Sequence, residues 1–160
     1  MTSLYVDTNV LLDFIRRRHP FDAPARKLLT FAYMGFYRLW MSASQTSDIF
    51  YIITEGGRKT LAQPAKEAIA ELLDHVGVIE AGEQEIRRAL GSNAADYEDA
   101  LIQACAVRAG ADFIITRDKR FSDGLIPAKT PEEFFDWLLA KQRVEVAQME
   151  LVDGMWKQTL

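Results

Sequence analysis

Short apolar runs alternate along this chain with longer stretches in which apolar residues recur at helical spacing. The runs at residues 4–6, 37–41, 76–79 and 113–116 are expected to form buried strands. Strands that alternate with helices of about ten to fifteen residues form βαβ units, which join parallel strands. The alternation therefore predicts an α/β fold in which a parallel sheet is covered by helices on both faces.

The predicted helices cover approximately residues 7–18, 24–34, 42–55, 61–75, 82–90, 95–109 and 131–141. Ser92 or Asn93 is expected to cap the sixth helix, and Gly110 is expected to end it. We divide the chain into a main domain, residues 1–140, and a C-terminal helical extension, residues 141–160. The extension is predicted because four apolar residues recur at helical spacing, namely Val144, Ala147, Leu151 and Met155.

Composition narrows the class of protein. The chain has 160 residues, of which 49% are apolar and 26% charged, as in a single globular domain. No apolar stretch approaches the roughly 18–20 residues of a membrane helix, and the first residues lack the pattern of a signal peptide. Cys105 is the single cysteine, so no internal disulfide can form and a cytoplasmic location is expected.

Acidic residues stand at one end of several predicted elements. Asp7 follows the first strand and Asp118 follows the strand at 113–116, while Asp96 and Asp99 begin the helix before that strand. Asp48 lies early in the third helix. The carboxyl ends of parallel strands meet at one edge of a sheet, and that edge is where α/β proteins bind ligands. The five carboxylates are therefore expected to converge.

Such a cluster requires a cation. Unit charges ~4 Å apart repel by about 4 kcal/mol at an effective dielectric near 20. Carboxylate oxygens with room for water suit Mg²⁺ or Mn²⁺, whose chemistry is mostly at phosphate. Zinc is not expected, because His19, His75 and Cys105 lie apart from the acids. Taken singly, each acid is also explained as a helix cap, a dipole partner or a solvated residue. Their coincidence at one edge favours the metal site.

Four segments resemble, in this order, the PIN-domain nucleases: "LYVDTNVLLDFI", "SASQTSDIFYII", "DYEDALIQACAVRAGADFIITRD" and "TPEEFFDWL". The match covers roughly residues 3–140 and is strongest to the bacterial branch related to VapC-type toxins of toxin–antitoxin pairs. The resemblance implies a three-layer α/β/α sandwich and a metal-dependent endoribonuclease specific for single-stranded RNA. It also implies an antitoxin as a possible protein partner.

The resemblance assigns roles to individual residues. Asp7, Asp99 and Asp118 become metal ligands, and Asp96 becomes an accessory acid on the same helix. The chain departs from the family at Asp48, where Glu is more common, so its shorter side chain is expected to act through water. The polar residues expected to line the site or contact the substrate are Asn9, Thr116, Arg117, Lys119 and Arg120. The basic run at residues 16–19 is a further candidate for contact with RNA phosphates. For all these basic residues, the alternative is that they are simply exposed to solvent and bind nothing.

Two other functions share part of this pattern. A phosphatase of the haloacid type also has an Asp after its first strand but needs a second Asp two residues later, where this chain has Asn9. A non-catalytic PIN fold that binds RNA or protein is the main alternative, although such folds usually lack the acids. The expected partners are an RNA substrate, a second copy of the chain in a homodimer and an antitoxin. The extension is expected to pack on its own domain or on one of these proteins.

Overall fold

The computed structural model describes residues 1–121 and 124–142. The predicted extension beyond residue 142 lies outside the described residues. The strands are β1 (Ser3–Val6), β2 (Arg38–Ser42), β3 (Gly77–Ile79), β4 (Phe113–Ile115) and β5 (Ala128–Lys129). The helices are α1 (Thr8–Arg16), α2 (Asp22–Tyr33), α3 (Ala43–Ile53), α4 (Ala62–Leu73), α5 (Glu83–Leu90), α6 (Tyr97–Ala109) and α7 (Pro131–Gln142).

The strands form one parallel sheet in the order β3-β2-β1-β4-β5. Alternate residues of β1 face two separate cores. Leu4 and Val6 pack in a core with residues of α1, α2 and α7. Tyr5 points the other way, into a core with Cys105 of α6 and Ile114 of β4. Helices therefore cover both faces of the sheet, and the predicted α/β/α sandwich is confirmed.

The structure corrects the predicted start of the sixth helix. Asp96 caps α6, because its side chain accepts hydrogen bonds from the backbone N–H groups of Glu98 and Asp99 at 2.8 and 3.3 Å. Ser92 instead donates its hydroxyl to the carbonyl of Ala89, in the last turn of α5. Gly110 ends α6 in the left-handed conformation, as predicted.

The two-residue strand β5 was not predicted. It carries no apolar run, and it exists because the backbone of β4 donates to it: Ile114 N–H bonds the carbonyl of Pro127, and Thr116 N–H bonds that of Lys129. No helix in the described part of the chain is long and apolar enough to cross a membrane.

Candidate active site

Asp7 lies at the point where β1 ends and α1 begins. Its backbone N–H donates to the carbonyl of Ile115 on the neighbouring strand, at 2.9 Å. Its carboxylate is only 7% exposed. Thr116 donates its hydroxyl to Asp7 Oδ2 at 2.6 Å, and the Asn9 amide donates to the same oxygen. A buried, hydrogen-bonded carboxylate therefore stands at the carboxyl edge of the two central strands.

Thr116 and Asn9 connect this carboxylate to the next part of the chain. The Thr116 hydroxyl accepts hydrogen bonds from the Asn9 amide and from the Asp118 backbone N–H, each at 3.0 Å. Asn9 Oδ1 accepts from the backbone N–H of Arg117 at 3.1 Å. In this structure the polar groups of Asn9 and Thr116 orient Asp7 and the turn that begins with Arg117, and the predicted contact of these two residues with substrate stays a prediction.

The acids of α6 and α3 form a more open rim beside Asp7. Asp48, Asp96 and Glu98 are exposed and Asp99 is half-buried. Burial raises the pKa of Asp7, and the charge of Asp99 adds to that rise, while hydrogen bonds from Thr116 and Asn9 oppose it. Asp99 therefore lies close enough for its charge to repel that of Asp7, although burial is the larger cause of the rise.

Glu98 is the acid that sequence reasoning missed as a site residue. Partial burial raises its pKa, and the charges of Asp7, Asp48, Asp96 and Asp99 raise it further. Glu98 and Asp48 also line a common small cavity of about 30 Å³. The signal was its place between two candidate acids in the first turn of α6, where a dipole partner was the simpler interpretation.

Asp118 is turned towards its own loop. Its Oδ1 accepts the backbone N–H of Arg120 at 2.8 Å and lies 3.6 Å from Arg120 Nε. The side chain is 41% exposed, and Lys119 and Arg120 beside it are exposed as well. The shared contact with Thr116 fixes the backbone of Asp118 near Asp7, while its carboxylate pairs with Arg120.

Arg117 is directed away from solvent. Its Nε lies 2.6 Å from Oδ2 of Asp13, a carboxylate buried on α1. Its guanidinium also lies 4.3 Å from the centre of the Phe21 ring. Of the three predicted basic contacts to substrate, Lys119 and Arg120 are therefore exposed, whereas Arg117 is paired with Asp13 of α1.

The donor set suits a hard divalent cation. It consists of carboxylate oxygens around Asp7 and Glu98. Burial is the main cause of their raised pKa values, and repulsion by neighbouring acids, which a bound cation would relieve, adds to it. Within residues 1–121 and 124–142, however, no three Asp, Glu, His or Cys side chains are grouped so that they could hold an ion. The structure brings the acids to one edge without assembling them into a coordination sphere.

Comparison with known proteins gives consistent matches. A family model described as the PIN domain matches residues 3–120. Ribonuclease VapC1 of Aquifex aeolicus (strain VF5) is 26% identical over 139 residues, which cover 82% of this chain and 92% of that protein.

Two solved structures share the fold at low identity. VapBC2 from Rickettsia felis, bound to a DNA fragment from its promoter, matches with a TM-score of 0.58 and 16% identity, covering 81% of this chain and 98% of the other. VapC20 of Mycobacterium tuberculosis, described as a toxin that cleaves the sarcin–ricin loop, matches with a TM-score of 0.55 and 16% identity, covering 74% and 92%.

Proposed function

The chain belongs to the PIN-domain family, and from this premise we propose that it is a divalent-metal-dependent endoribonuclease that cleaves single-stranded RNA. The observation that carries the proposal is the convergence of the acids of α3 and α6 beside Asp7 at the carboxyl edge of the sheet. Asp48 and Glu98 line one cavity there, and the charge of Asp7 contributes to the raised pKa of Glu98. The similarity to the Aquifex aeolicus ribonuclease supports the same reaction.

We assign metal binding to Asp7, Asp99 and Asp118, with Asp48, Asp96 and Glu98 supplying further negative charge around them. In sites of this kind a bound Mg²⁺ or Mn²⁺ supplies the activation of water and the stabilisation of the leaving oxygen. Thr116 and Asn9 hold the Asp7 carboxylate in one orientation. Lys119 and Arg120, exposed beside Asp118, contact the phosphates that flank the cleaved bond.

The partners are part of the proposal. VapBC2 from Rickettsia felis and VapBC-1 from nontypeable Haemophilus influenzae share the fold, the latter with a TM-score of 0.55 and 17% identity over 82% of this chain. We propose by analogy that this chain is the toxin of a toxin–antitoxin pair, that it acts in the cytoplasm and that it forms a homodimer.

One test is the cleavage of single-stranded RNA in Mn²⁺ by the wild-type protein and the Asp99→Asn variant. Loss of the charge that faces Asp7 is expected to remove cleavage while the circular dichroism spectrum stays unchanged. Asp74→Asn, at an exposed position after α4, is the control and should cleave as the wild type does. Equal degradation by the wild type and Asp99→Asn would assign the activity to a contaminant.

The absence of a ready three-ligand group among the described residues favours one alternative, a non-catalytic module that binds RNA. Such a module would bind single-stranded RNA equally well with EDTA or with Mn²⁺ and would cut it in neither. A nuclease would bind more tightly in Mn²⁺ and release shortened products. A filter-binding assay followed by gel analysis of the same samples separates the two functions.

A further inference from the structure

Gln45, in the first turn of α3, has a buried carboxamide whose hydrogen-bonding capacity is fully used. The side chain is 4% exposed. Its Nε2 donates to the carbonyl of Val6 at 2.9 Å and to the hydroxyl of Thr8 at 3.2 Å. Its Oε1 accepts from the Ser42 backbone N–H at 2.9 Å and from the Tyr5 hydroxyl at 2.8 Å. Two donors and two acceptor positions are thus all satisfied.

These four bonds exceed what helix capping needs. In a capping box the side chain at the third helical position bonds only the backbone N–H of the cap, which here is Ser42. The other three bonds of Gln45 reach Tyr5 and Val6 of β1 and Thr8 at the start of α1, about forty residues earlier in the chain. Val6 and Thr8 are the residues on either side of Asp7. One amide therefore joins the backbone around Asp7 to the start of α3.

The same helix carries Asp48 three residues after Gln45, on the next turn. Gln45, Asp48 and Glu98 line the same small cavity. A shift of α3 relative to β1 would change the distance between Asp7 and Asp48, and the Gln45 amide is a buried polar connection that opposes such a shift. The requirement is chemical as well as steric, because donors must face Val6 and Thr8 while an acceptor faces Ser42 and Tyr5.

We propose that Gln45 is a positioning residue of the nuclease site, which sets the separation between Asp7 and the acids of α3. The inference rests on the proposed function. Glu at this position keeps the acceptor but has no donor and places a charge against the Val6 carbonyl. Met fills a similar volume and makes none of the four bonds.

The test compares Gln45→Met with Gln103→Met. Gln103 ties α6 to a loop in the same manner, donating to the carbonyl of Ile126 at 2.9 Å and accepting from its N–H at 3.1 Å, and it lies outside the acidic site. Each variant is assayed equally far below its own melting temperature. The readouts are kcat and KM for single-stranded RNA and the Mn²⁺ concentration that gives half of the maximal thermal stabilisation.

Gln45→Met is expected to lower kcat by roughly 10–100-fold with little change in KM, and to raise the required Mn²⁺ concentration by about 10-fold. Gln103→Met should change neither. The inference is overturned if the two variants respond alike. Gln45→Asn, which keeps the amide on a shorter stem, should lie between Gln45→Met and the wild type if Gln45→Met does not fold. Wild-type behaviour of Gln45→Asn would then overturn the inference.

The Mn²⁺ readout separates this inference from the proposed function. If the wild type binds Mn²⁺ but cuts no RNA, the nuclease function fails, while a weakened Mn²⁺ response in Gln45→Met still supports the positioning role. If the wild type cuts RNA and Gln45→Met matches it in kcat and in Mn²⁺ response, the positioning role fails and the function stands. A wild type that shows neither response overturns both.

Discussion

Asp7 and Glu98 carry the same charge at the same edge of the sheet, yet they lie in opposite surroundings. Asp7 is buried, and hydrogen bonds from Thr116 and Asn9 offset part of the cost of burying it. Glu98 is exposed, and the contributions to its pKa beyond partial burial are the charges of four other acids. The first region, which we call the corner, consists of Asp7 with Thr116 and Asn9 and is fixed by hydrogen bonds. The second is the rim formed by the acids of α3 and α6, which carry like charges.

This difference explains how the site can be ordered in the folded protein and still gain stability when a cation binds. The corner is held by contacts between β1 and β4 that form when the sheet forms, so Asp7 needs no ordering when a ligand binds. The rim remains repulsive until a positive ion or a basic side chain neutralises it. Substitutions in the corner, and of Asp99 as an assigned metal ligand, should therefore affect activity most. Substitution of Glu98, which is not assigned as a ligand, should mainly affect the stability of the metal-free protein.

Asp7→Asn should have the largest effect, because it removes the charge of the corner while leaving its shape. Cleavage of single-stranded RNA is expected to fall by more than about 100-fold, beyond the 10–100-fold typical of a residue that only orients a ligand. The melting temperature of the metal-free protein should rise slightly, since a buried charge is lost.

The control for Asp7→Asn is Asp112→Asn, at the opposite end of the same two strands, where the carboxylate accepts the Ser3 N–H at 2.8 Å. It should affect stability and spare activity. If the Asp7→Asn variant retains activity, Asp7 is not a catalytic residue.

Thr116→Val tests whether activity depends on the orientation of the Asp7 carboxylate. The hydroxyl donates to Asp7 and accepts from Asn9 and from the Asp118 backbone, so its loss should lower activity by about 10–100-fold. A stability cost of roughly 1–3 kcal/mol is expected from the buried polar groups left without partners.

Thr54→Val is the matched control. Thr54 is also buried and lies at the C-terminal end of α3. Its hydroxyl donates to the carbonyl of Phe50 and accepts a hydrogen bond from the Gly57 N–H. Chemical denaturation should give similar losses of stability for the two variants. Similar losses of activity as well would show that Thr116 has only a structural role.

Mg²⁺ or Mn²⁺ should stabilise the folded wild type, because the ion would bind Asp7 and the acids of the rim and relieve their repulsion. An ion that binds only the folded state at 100 times its dissociation constant contributes about 2.7 kcal/mol, or a rise of roughly 5–10 °C in the melting temperature for a chain of this length. NaCl at equal ionic strength controls for screening. A thermal scan without dependence on either ion at millimolar concentration would count against a shared metal site.

Glu98→Gln should have the smallest effect. Removing one of the mutually repelling charges is expected to raise the melting temperature of the metal-free protein by roughly 1–2 °C and to reduce the additional rise with Mn²⁺. Glu71→Gln, at an exposed position on α4, should change neither quantity. A lower melting temperature for Glu98→Gln would mean that the rim is not a region of repulsion.

The sequence by itself determined the class of fold and the edge where the acids meet. Alternating strand and helix patterns depend on local spacing, and an acid directly after a buried strand must lie at the edge where that strand ends. Asp7, Asp99 and the backbone of Asp118 therefore lie where the pattern predicted. The strand β5 had no such pattern, because its hydrogen bonds to β4 form it without an apolar run.

Only the tertiary structure decided what each polar side chain contacts. Thr116 and Asp7 are separated by 109 residues, and Gln45 and Val6 by 39. Arg117 adjoins Asp118 in sequence but pairs with Asp13, a buried residue of α1. The physical reason is that periodicity fixes which face of an element a residue occupies. The partner of a buried hydrogen-bonding group is fixed only when distant elements pack and every such group must be satisfied.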